Sequence, residues 1–284
     1  MTPLRRFAAD RLALAGAGLV VLFLVVAACA GWLAPHDPYL RYPELTRDLR
    51  AGAVPGPRPG FPLGSDDLGR DLLSRLLVGT RQSLLIGAGA TLAGLVPGSL
   101  LGGLAGWLGG PVDGVLMRLV DVWLAIPGLL LALSIAALVD RPDRWVVIGA
   151  VGAVSAPVFA RLLRGSILAG RTATYLPALR AVGVRPGTVW LRHLVPHVLP
   201  PVIVQATLTF PLAIIDAAGL SFLGLGDQDP DRAEWGAMLG DGQRYLDVRP
   251  ALVGYPAAAI ILVALGWALF GEGLRAALHP KAVP

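Results

Sequence analysis

Lysine is almost absent from this chain of 284 residues, since Lys281 is the only one. A P-loop needs a lysine in its glycine-rich turn, where the side chain reaches the β- and γ-phosphates of a nucleotide. The sequence therefore excludes nucleotide binding by a P-loop within this chain. Cysteine is equally scarce. Cys29 is the only one, which excludes an intramolecular disulfide framework.

Charged residues are also few, at 15% of the chain, whereas hydrophobic residues make up 55% and the mean hydropathy is +0.66. This balance lies outside the range of soluble domains. A chain of this length accommodates about six apolar spans of roughly 20 residues each. The net charge of +5 resides in loops beside the spans, so it indicates lipid headgroups as partners rather than nucleic acid. The predicted fold class is all-α integral membrane, with six transmembrane helices.

Carboxylates are missing altogether between Arg144 and Ile215, a stretch that contains seven arginines. Six of them lie at the end of the fourth apolar run or in the short segment that separates it from the fifth: Arg161, Arg164, Arg171, Arg180, Arg185 and Arg192. A short arginine-rich loop between spans is cytoplasmic under the positive-inside rule. With six spans, this orientation also puts both the amino and the carboxyl terminus in the cytoplasm.

Turn signals within this basic segment predict a short helix. Thr172 and Thr174 are candidate N-caps, and Pro177 falls in the first turn, where a missing N–H has no intrahelical partner to lose. The helix then runs from Tyr175 to Val182 and ends at Gly183, in the position that glycine favours after a helix. Two interpretations remain open, an ordinary surface helix or a rigid helix presented to a soluble partner.

The chain divides at its apolar runs. The six predicted spans are Leu12–Ala34, Thr80–Leu108, Val115–Val139 with a kink at Pro127, Trp145–Ile167, Leu199–Leu225 and Ala251–Phe270. The first run continues past Cys29, where a signal peptide would be cleaved, so we expect a retained helix. The predicted regions are an amino-terminal segment with the first span (1–34), an external proline-rich loop with a capped helix (35–79), a five-span core (80–271) with a cytoplasmic loop (169–197), and a cytoplasmic tail (272–284).

Two groups of charged residues near the spans are interpreted as structural. The adjacent carboxylates Asp66 and Asp67 are not interpreted as a metal site, because no further ligands follow at the required spacing. Ser65 is instead expected to cap a helix whose first turn contains these two residues. Arg118 and Asp121 are three residues apart and are expected to pair on one helical face. We predict no catalytic and no metal-binding residues.

Glycines recur at every fourth position of the second predicted span. The series comprises Gly94, Gly98, Gly102, Gly106 and Gly110, and Ala90 extends it by one step. Small residues at this spacing expose a strip of bare backbone that lets another helix approach closely in lipid. The stripe therefore predicts helix packing, within the chain or against a homologous subunit.

Asp216 is the most prominent charge inside a predicted span. An ionisable residue at membrane depth is a candidate for a pathway or gate. Asp216 also lies only ten residues before Gly226, so a hydrated position near the outer interface is an equal alternative.

Several motifs resemble one family. ALRAVG at 178–183 followed by WLRHLVPHVLPPV at 190–202 is similar to the "EAA" cytoplasmic loop of ABC importer permeases, although Pro177-Ala178-Leu179 stands where that family usually has Glu-Ala-Ala. GLSFLGLG at 219–226 and EWGAML at 234–239 resemble the dipeptide/oligopeptide/nickel importer subfamily. LGSDDLGRDLLSRLLVGTRQSLL at 63–85 and GGPVDGVLMRLVDVWLAIP at 109–127 resemble its C-type permease subunit.

The resemblance implies an ABC type I importer permease in a bacterial inner membrane, a multi-pass transport subunit rather than an enzyme. It implies a coupling helix that inserts into an ATPase subunit: Tyr175, Leu176, Pro177, Ala178, Leu179, Arg180, Ala181, Val182 and Gly183. It further implies a homologous sister permease, two ATPase subunits that hold ATP and Mg²⁺, and an external substrate-binding protein. No cofactor is implied for this chain.

The resemblance ranks di- and oligopeptides first as cargo, and a nickel chelate is the alternative. A second class of function is an ion-coupled secondary transporter. That class predicts charged residues inside several spans, and the sequence offers only Asp216 and the Arg118–Asp121 pair.

Overall fold

A computed structural model describes residues 2–46, 53–171, 186–189, 192, 195–227, 229 and 232–278. Within these ranges the chain is helical, and its only β contacts are two isolated bridges. The helices are α1 Pro3–Ala9, α2 Arg11–Leu33, α3 Pro43–Thr46, α4 Leu72–Leu108, α5 Gly110–Leu124, α6 Gly128–Ala136, α7 Arg144–Arg171, α8 Pro186–Val189, α9 Val195–Phe222, α10 Trp235–Gln243 and α11 Ala251–Leu278.

Five of the described helices are long and apolar enough to cross a membrane: α2, α4, α7, α9 and α11. A sixth span exists only if α5 and α6 count as one, because these two helices meet at 86°. The prediction of one kinked helix over Val115–Val139 was therefore wrong in form. Pro127 has an extended backbone with ψ of 126°. Its ring also disfavours the helical conformation for the residue before it, so the helix breaks rather than bends.

The beginning of α4 differs from the sequence prediction. Asp71, not Ser65, is the N-cap, and its carboxylate accepts hydrogen bonds from the backbone N–H of Ser74 (3.1 Å) and from the Ser74 hydroxyl (2.5 Å). Ser65 lies before the helix, in a bridge with Asp71. At about 1.5 Å per residue, the 37 residues of α4 measure about 55 Å, well beyond the roughly 30 Å of a hydrocarbon core.

α10 connects the loop after α9 to the body of the protein. Trp235 is fully buried against α4, where Gly79 leaves room for its ring: a Cβ there would lie 3.0 Å from Trp235 Cδ1. The indole N–H donates to the carbonyl oxygen of Leu76 at 3.0 Å, and the Trp235 backbone N–H donates to Ser83 Oγ at 3.2 Å. These contacts belong to a buried cluster that joins α4, α9, α10 and α11. A second cluster joins α4, α6, α7 and α9.

α2 packs against α11, the last helix. A Cβ added to Gly16 would lie 2.6 Å from the backbone nitrogen of Phe270, and one added to Gly266 would lie 2.7 Å from Leu19 Cβ. The two backbones are therefore nearly in contact. α11 continues to Leu278, so the helix extends into the stretch 272–284 that was predicted to be a tail.

The bundle has two chemically different ends. The loop end carries the described residues of the segments 34–71, 137–143 and 223–250. The first and the last of these contact each other through Tyr245 and Asp67 (3.3 Å) and through Arg249 and the Leu63 carbonyl (2.6 Å). The arginine end carries the last turns of α4 and α7 and the start of α5.

Candidate functional site

The predicted coupling helix, Tyr175–Gly183, lies outside the described residues, but the point where its loop begins is defined. α7 ends at Arg171, whose Nη1 donates to the carbonyl oxygens of Gly106 (2.9 Å) and Trp107 (3.2 Å) in the last turn of α4. A guanidinium at free C-terminal carbonyls satisfies them and compensates the helix dipole. The ends of α4 and α7 are thereby tied together directly before the loop, and α8 follows it at Pro186–Val189.

Two ion pairs join α5 to α7 at the arginine end. Arg164 binds Asp113 in a bidentate pair, with Nη2 at 2.6 Å from Oδ2 and Nε on Oδ1. Arg161 binds Asp121 at 2.5 Å, and both side chains are exposed. The partner predicted for Asp121 was Arg118, and this was wrong. Asp121 faces α7, so a guanidinium from the neighbouring helix reaches it, which spacing along one helix does not reveal.

Four glycines of the predicted stripe lie against α7. An added Cβ would be 2.8 Å from the Gly152 carbonyl oxygen at Gly94 and 2.8 Å from Phe159 Cβ at Gly98. At Gly102 it would be 2.8 Å from the carbonyl carbon of Ala160, and at Gly106 it would be 3.0 Å from Ile167 Cβ. We call these four positions (Gly94, Gly98, Gly102, Gly106), with the α7 residues that face them, the glycine seam.

Gly110 does not belong to the glycine seam, contrary to the prediction. α4 ends at Leu108, and Gly110 begins α5 with a φ of +55° and open space around its Cβ position. Four-residue spacing keeps residues on one face only within a continuous helix. Gly109 and Gly110 instead supply the positive φ that the turn between the two helices requires.

Asp216 lies on α9, six residues before the helix ends at Phe222, and is half-buried. Its neighbours Leu212 and Ile215 are exposed, at 58% and 47%. They line an open apolar recess of about 740 Å³ between α9 and α11. Asp216 therefore stands beside a face of α9 that the rest of the described chain leaves uncovered.

The loop end contains a buried polar group that sequence reasoning missed. Asp66 accepts from Arg70 Nε at 2.6 Å and lies 3.5 Å from Arg75 Nε, and all three residues are at most 7% exposed. Arg70 Nη2 also lies 4.0 Å from Asp241 of α10. Burial, and then the charge of Asp67, raise the pKa of the Asp241 carboxyl. We call Asp66, Arg70, Arg75 and Asp241 the loop-end network.

A signal for this network was present in the sequence. Asp66 precedes Arg70 by four residues and Arg75 by nine, so both arginines fall within reach of one carboxylate. The sequence analysis instead placed Asp66 in the first turn of a capped helix, where a carboxylate compensates the helix dipole. Asp241 could not have been found this way, because only the docking of α10 on α4 brings it near.

Glu234 is the N-cap of α10. Its two carboxylate oxygens accept from the backbone N–H groups of Gly236 (2.8 Å) and Ala237 (2.9 Å), and the residue is only 4% exposed. Burial raises the pKa of this carboxyl, although the two N–H donors act in the opposite direction. Beside α10, a polar cavity of about 490 Å³ opens between the end of α9 and the loop-end network.

These arrangements join neighbouring helices and fix the helix ends. Within the described ranges, no group of three His, Cys, Asp or Glu side chains is placed to hold a metal ion. The ion pairs and caps sit at the two ends of long helices, and the glycine seam joins α7 to the half of α4 that is nearer the arginine end.

Comparison with known proteins gives consistent results. Residues 98–283 match the family described as "binding-protein-dependent transport system inner membrane component", and residues 3–51 match the N-terminal transmembrane domain of oligopeptide transport permease C. The glutathione transport system permease protein of Pectobacterium atrosepticum is 39% identical over 98% of this chain and 89% of its own length. The di/tripeptide transport system permease protein of Pseudomonas aeruginosa is 40% identical over 97% and 90%.

A solved structure of the MetNI methionine ABC transporter, in an inward-facing conformation, shares the fold. The TM-score is 0.57 at 20% sequence identity, and the match covers 72% of this chain and 96% of that one.

The glycine seam predicts a sharp difference between two adjacent residues. Gly102→Ala puts a methyl group against the backbone of Ala160, whereas the nearest atom to a methyl at Gly103 is Leu163 Cδ2 at 3.7 Å, an ordinary contact. We expect Gly102→Ala to lower the stability of the folded protein by about 1–3 kcal/mol, as overpacking does, and Gly103→Ala to leave it within error. Thermal unfolding in detergent measures both. Equal midpoints for the two variants would contradict close packing at the seam.

The raised pKa of Glu234 predicts a pH dependence. The folded chain holds this proton more tightly than the unfolded chain, so the free energy of unfolding falls as pH rises above the ordinary glutamate value of about 4.3. Glu234→Gln retains an acceptor without a charge and should reduce this fall to the part that Asp241, whose pKa is also raised, contributes. Glu234→Ala also lacks the titrating carboxyl, so its profile should run parallel to that of Glu234→Gln and lie about 1 kcal/mol below it at every pH, because the cap is lost. Unfolding midpoints measured from about pH 4 to pH 8 test this prediction. If the midpoint of Glu234→Gln changes with pH as much as that of the unaltered protein, Glu234 is not the source of the pH dependence.

Proposed function

The chain belongs to the family of binding-protein-dependent transport system inner membrane components, and from this premise we propose that it conducts short peptides across a bacterial inner membrane. It is the permease subunit of an ABC importer, a transport subunit and not an enzyme, and this excludes the ion-coupled secondary transporter. The proposal on cargo rests on the relatives named for di/tripeptide, dipeptide and glutathione transport, which match this chain over nearly its full length.

We assign the arginine end to the cytoplasm. Arg161, Arg164 and Arg171 crowd the end of α7, and three more arginines follow before α9, with no carboxylate in the same stretch. Short basic loops stay on the cytoplasmic side. The loop end is then external, and both termini are cytoplasmic. The acidic balance of 227–250, six carboxylates against three arginines, fits the external assignment.

In this orientation the segment Tyr175–Gly183 is the coupling helix that docks on a partner ATPase, which binds ATP and Mg²⁺. The tie between Arg171 and the last turn of α4 supports this role. A displacement of the coupling helix moves α7 first, and the close packing at the glycine seam transmits this movement to α4. Because α4 continues to the loop-end network, the same helix pair connects the ATPase side to the external mouth.

A sister permease covers the recess between α9 and α11 in this proposal, and the peptide pathway runs between the two permeases. Asp216 then borders the pathway near its external mouth, where a carboxylate attracts the amino terminus of a peptide. An external binding protein delivers the peptide at the loop end, above the polar cavity beside α10.

The assembled transporter in proteoliposomes tests the coupling assignment. We expect ATP to drive uptake of a labelled dipeptide when the binding protein is present. Gly183→Trp should abolish this uptake while ATP hydrolysis continues, because a bulky residue misplaces the end of the coupling helix. Gly187→Trp is the control, since Gly187 lies in the same loop with open space around it. Full uptake with Gly183→Trp would refute the docking helix, and absence of dipeptide uptake by the unaltered transporter would refute the cargo.

The position of Asp216 predicts a separate effect. Asp216→Asn should lower the rate of dipeptide uptake about tenfold, the scale of one lost charge-assisted hydrogen bond, and should leave assembly and basal ATP hydrolysis unchanged. Asp140→Asn, an exposed carboxylate in the turn between α6 and α7, is the matched control. Equal uptake by the two variants would remove Asp216 from the pathway.

A further inference from the structure

A long groove runs along the side of the bundle where α2, α4 and α9 meet. Its volume is about 680 Å³, and Trp267 of α11 also lines it. The walls are formed by aliphatic and aromatic side chains, such as Leu24, Leu92 and Phe210, and by two threonines. Thr91 and Thr207 donate their hydroxyl protons to carbonyl oxygens of their own helices, so they offer the groove little polarity.

The groove is longer than one leaflet of a bilayer is deep. On α4 it extends over 15 residues, from Arg81 at the loop-end side to Leu95, and on α9 over 12 residues, from Leu199 near the arginine end to Phe210. At about 1.5 Å per residue these walls measure roughly 21 Å and 16 Å. Half of a hydrocarbon core is roughly 15 Å. An acyl chain that starts at the level of Arg81 therefore fits within the groove in both chemistry and length.

Arg81 closes the groove at its loop-end side and is the only charged residue in the lining. It is exposed, and no hydrogen-bonding or ionic partner for it exists among the residues that the structure describes. From Gln82 to Val112 the chain has no charged residue for 31 positions, more than the roughly 20 needed to cross a bilayer. Arg81 thus stands at the border of the apolar zone, where its guanidinium extends to the level of the headgroups.

The groove faces away from the recess that contains the Asp216 side of α9. Ile203 lines the groove and Leu212 lines the recess, and these residues are nine positions apart, which is two and a half helical turns. They therefore point to opposite sides of α9. A subunit that packs on the recess leaves the groove open to lipid.

We propose that this groove binds an anionic phospholipid of the loop-end leaflet, with one acyl chain between α2, α4 and α9 and the phosphate on Arg81. The lining has one positive charge and no carboxylate, so it offers nothing to the ammonium group of a zwitterionic headgroup. Phosphatidylglycerol is accordingly favoured over phosphatidylethanolamine. The lipid fills the space that α2 leaves open toward α4 and α9 while it packs against α11.

Native mass spectrometry of the assembled transporter, equilibrated with equal amounts of the two lipids, tests this proposal. We expect Arg81→Gln to retain about fivefold less phosphatidylglycerol, the effect of one basic residue near a membrane surface. Arg41→Gln, an exposed arginine at the same end and outside the groove, should retain the normal amount. Leu92→Trp fills the groove and should reduce retention of both lipids, whereas Val96→Trp, exposed on the same helix, should reduce neither.

Three results would overturn the proposal. Equal phosphatidylglycerol retention by Arg81→Gln and Arg41→Gln would mean that the arginine does not hold a headgroup. Equal retention of the two lipids by the unaltered transporter would mean that any phospholipid lies there only as bulk annulus. Loss of the sister permease from Leu92→Trp, with Val96→Trp intact, would mean that the groove is a subunit interface.

Discussion

Close contact between the backbones of α4 and α7 is the constraint on which the rest of the structure depends. Lipid tails are as apolar as the side chains of these helices, so the hydrophobic effect gives little reason for helices to associate within a membrane. Dispersion contacts over bare backbone supply that reason, and the glycine seam provides them at four successive turns. Each of its glycines faces backbone or Cβ atoms of α7, with no space for a side chain between them.

The glycine seam fixes α7 against α4, a single helix that reaches from one end of the bundle to the other. At the arginine end, Arg171 ties the last turn of α4 to the last residue of α7. At the loop end, α4 begins at the Asp71 cap and contacts Trp235 and the loop-end network. An importer must relate events at its two faces, and a helix about 55 Å long that is fixed at both ends is a direct physical means.

Polar groups are arranged differently at the two ends. The ion pairs of the arginine end include exposed partners such as Arg161 and Asp121, which contribute little to stability. Three members of the loop-end network, Asp66, Arg70 and Arg75, are buried and satisfied by several contacts, so removal of one of them leaves buried charge that is less well compensated. The loop end therefore holds a defined geometry, whereas the arginine end presents charge to its surroundings. Between them, the apolar surface of α2, α4 and α9 forms a groove that fits lipid.

The sequence by itself determined the membrane class, the positions of the apolar spans to within a few residues at most ends, and the spacing of small residues on α4. These follow from composition and from the period of one helix, which are local properties. The tertiary structure alone decided that Asp71 rather than Ser65 caps α4, that Asp121 pairs with Arg161, that Gly110 leaves the stripe, and that the third span breaks at Pro127. It also decided that Asp241 meets Arg70 across 171 positions of sequence. Each of these depends on which face of one helix meets another. The sequence around a carboxylate or a glycine does not show which residue of another helix packs beside it.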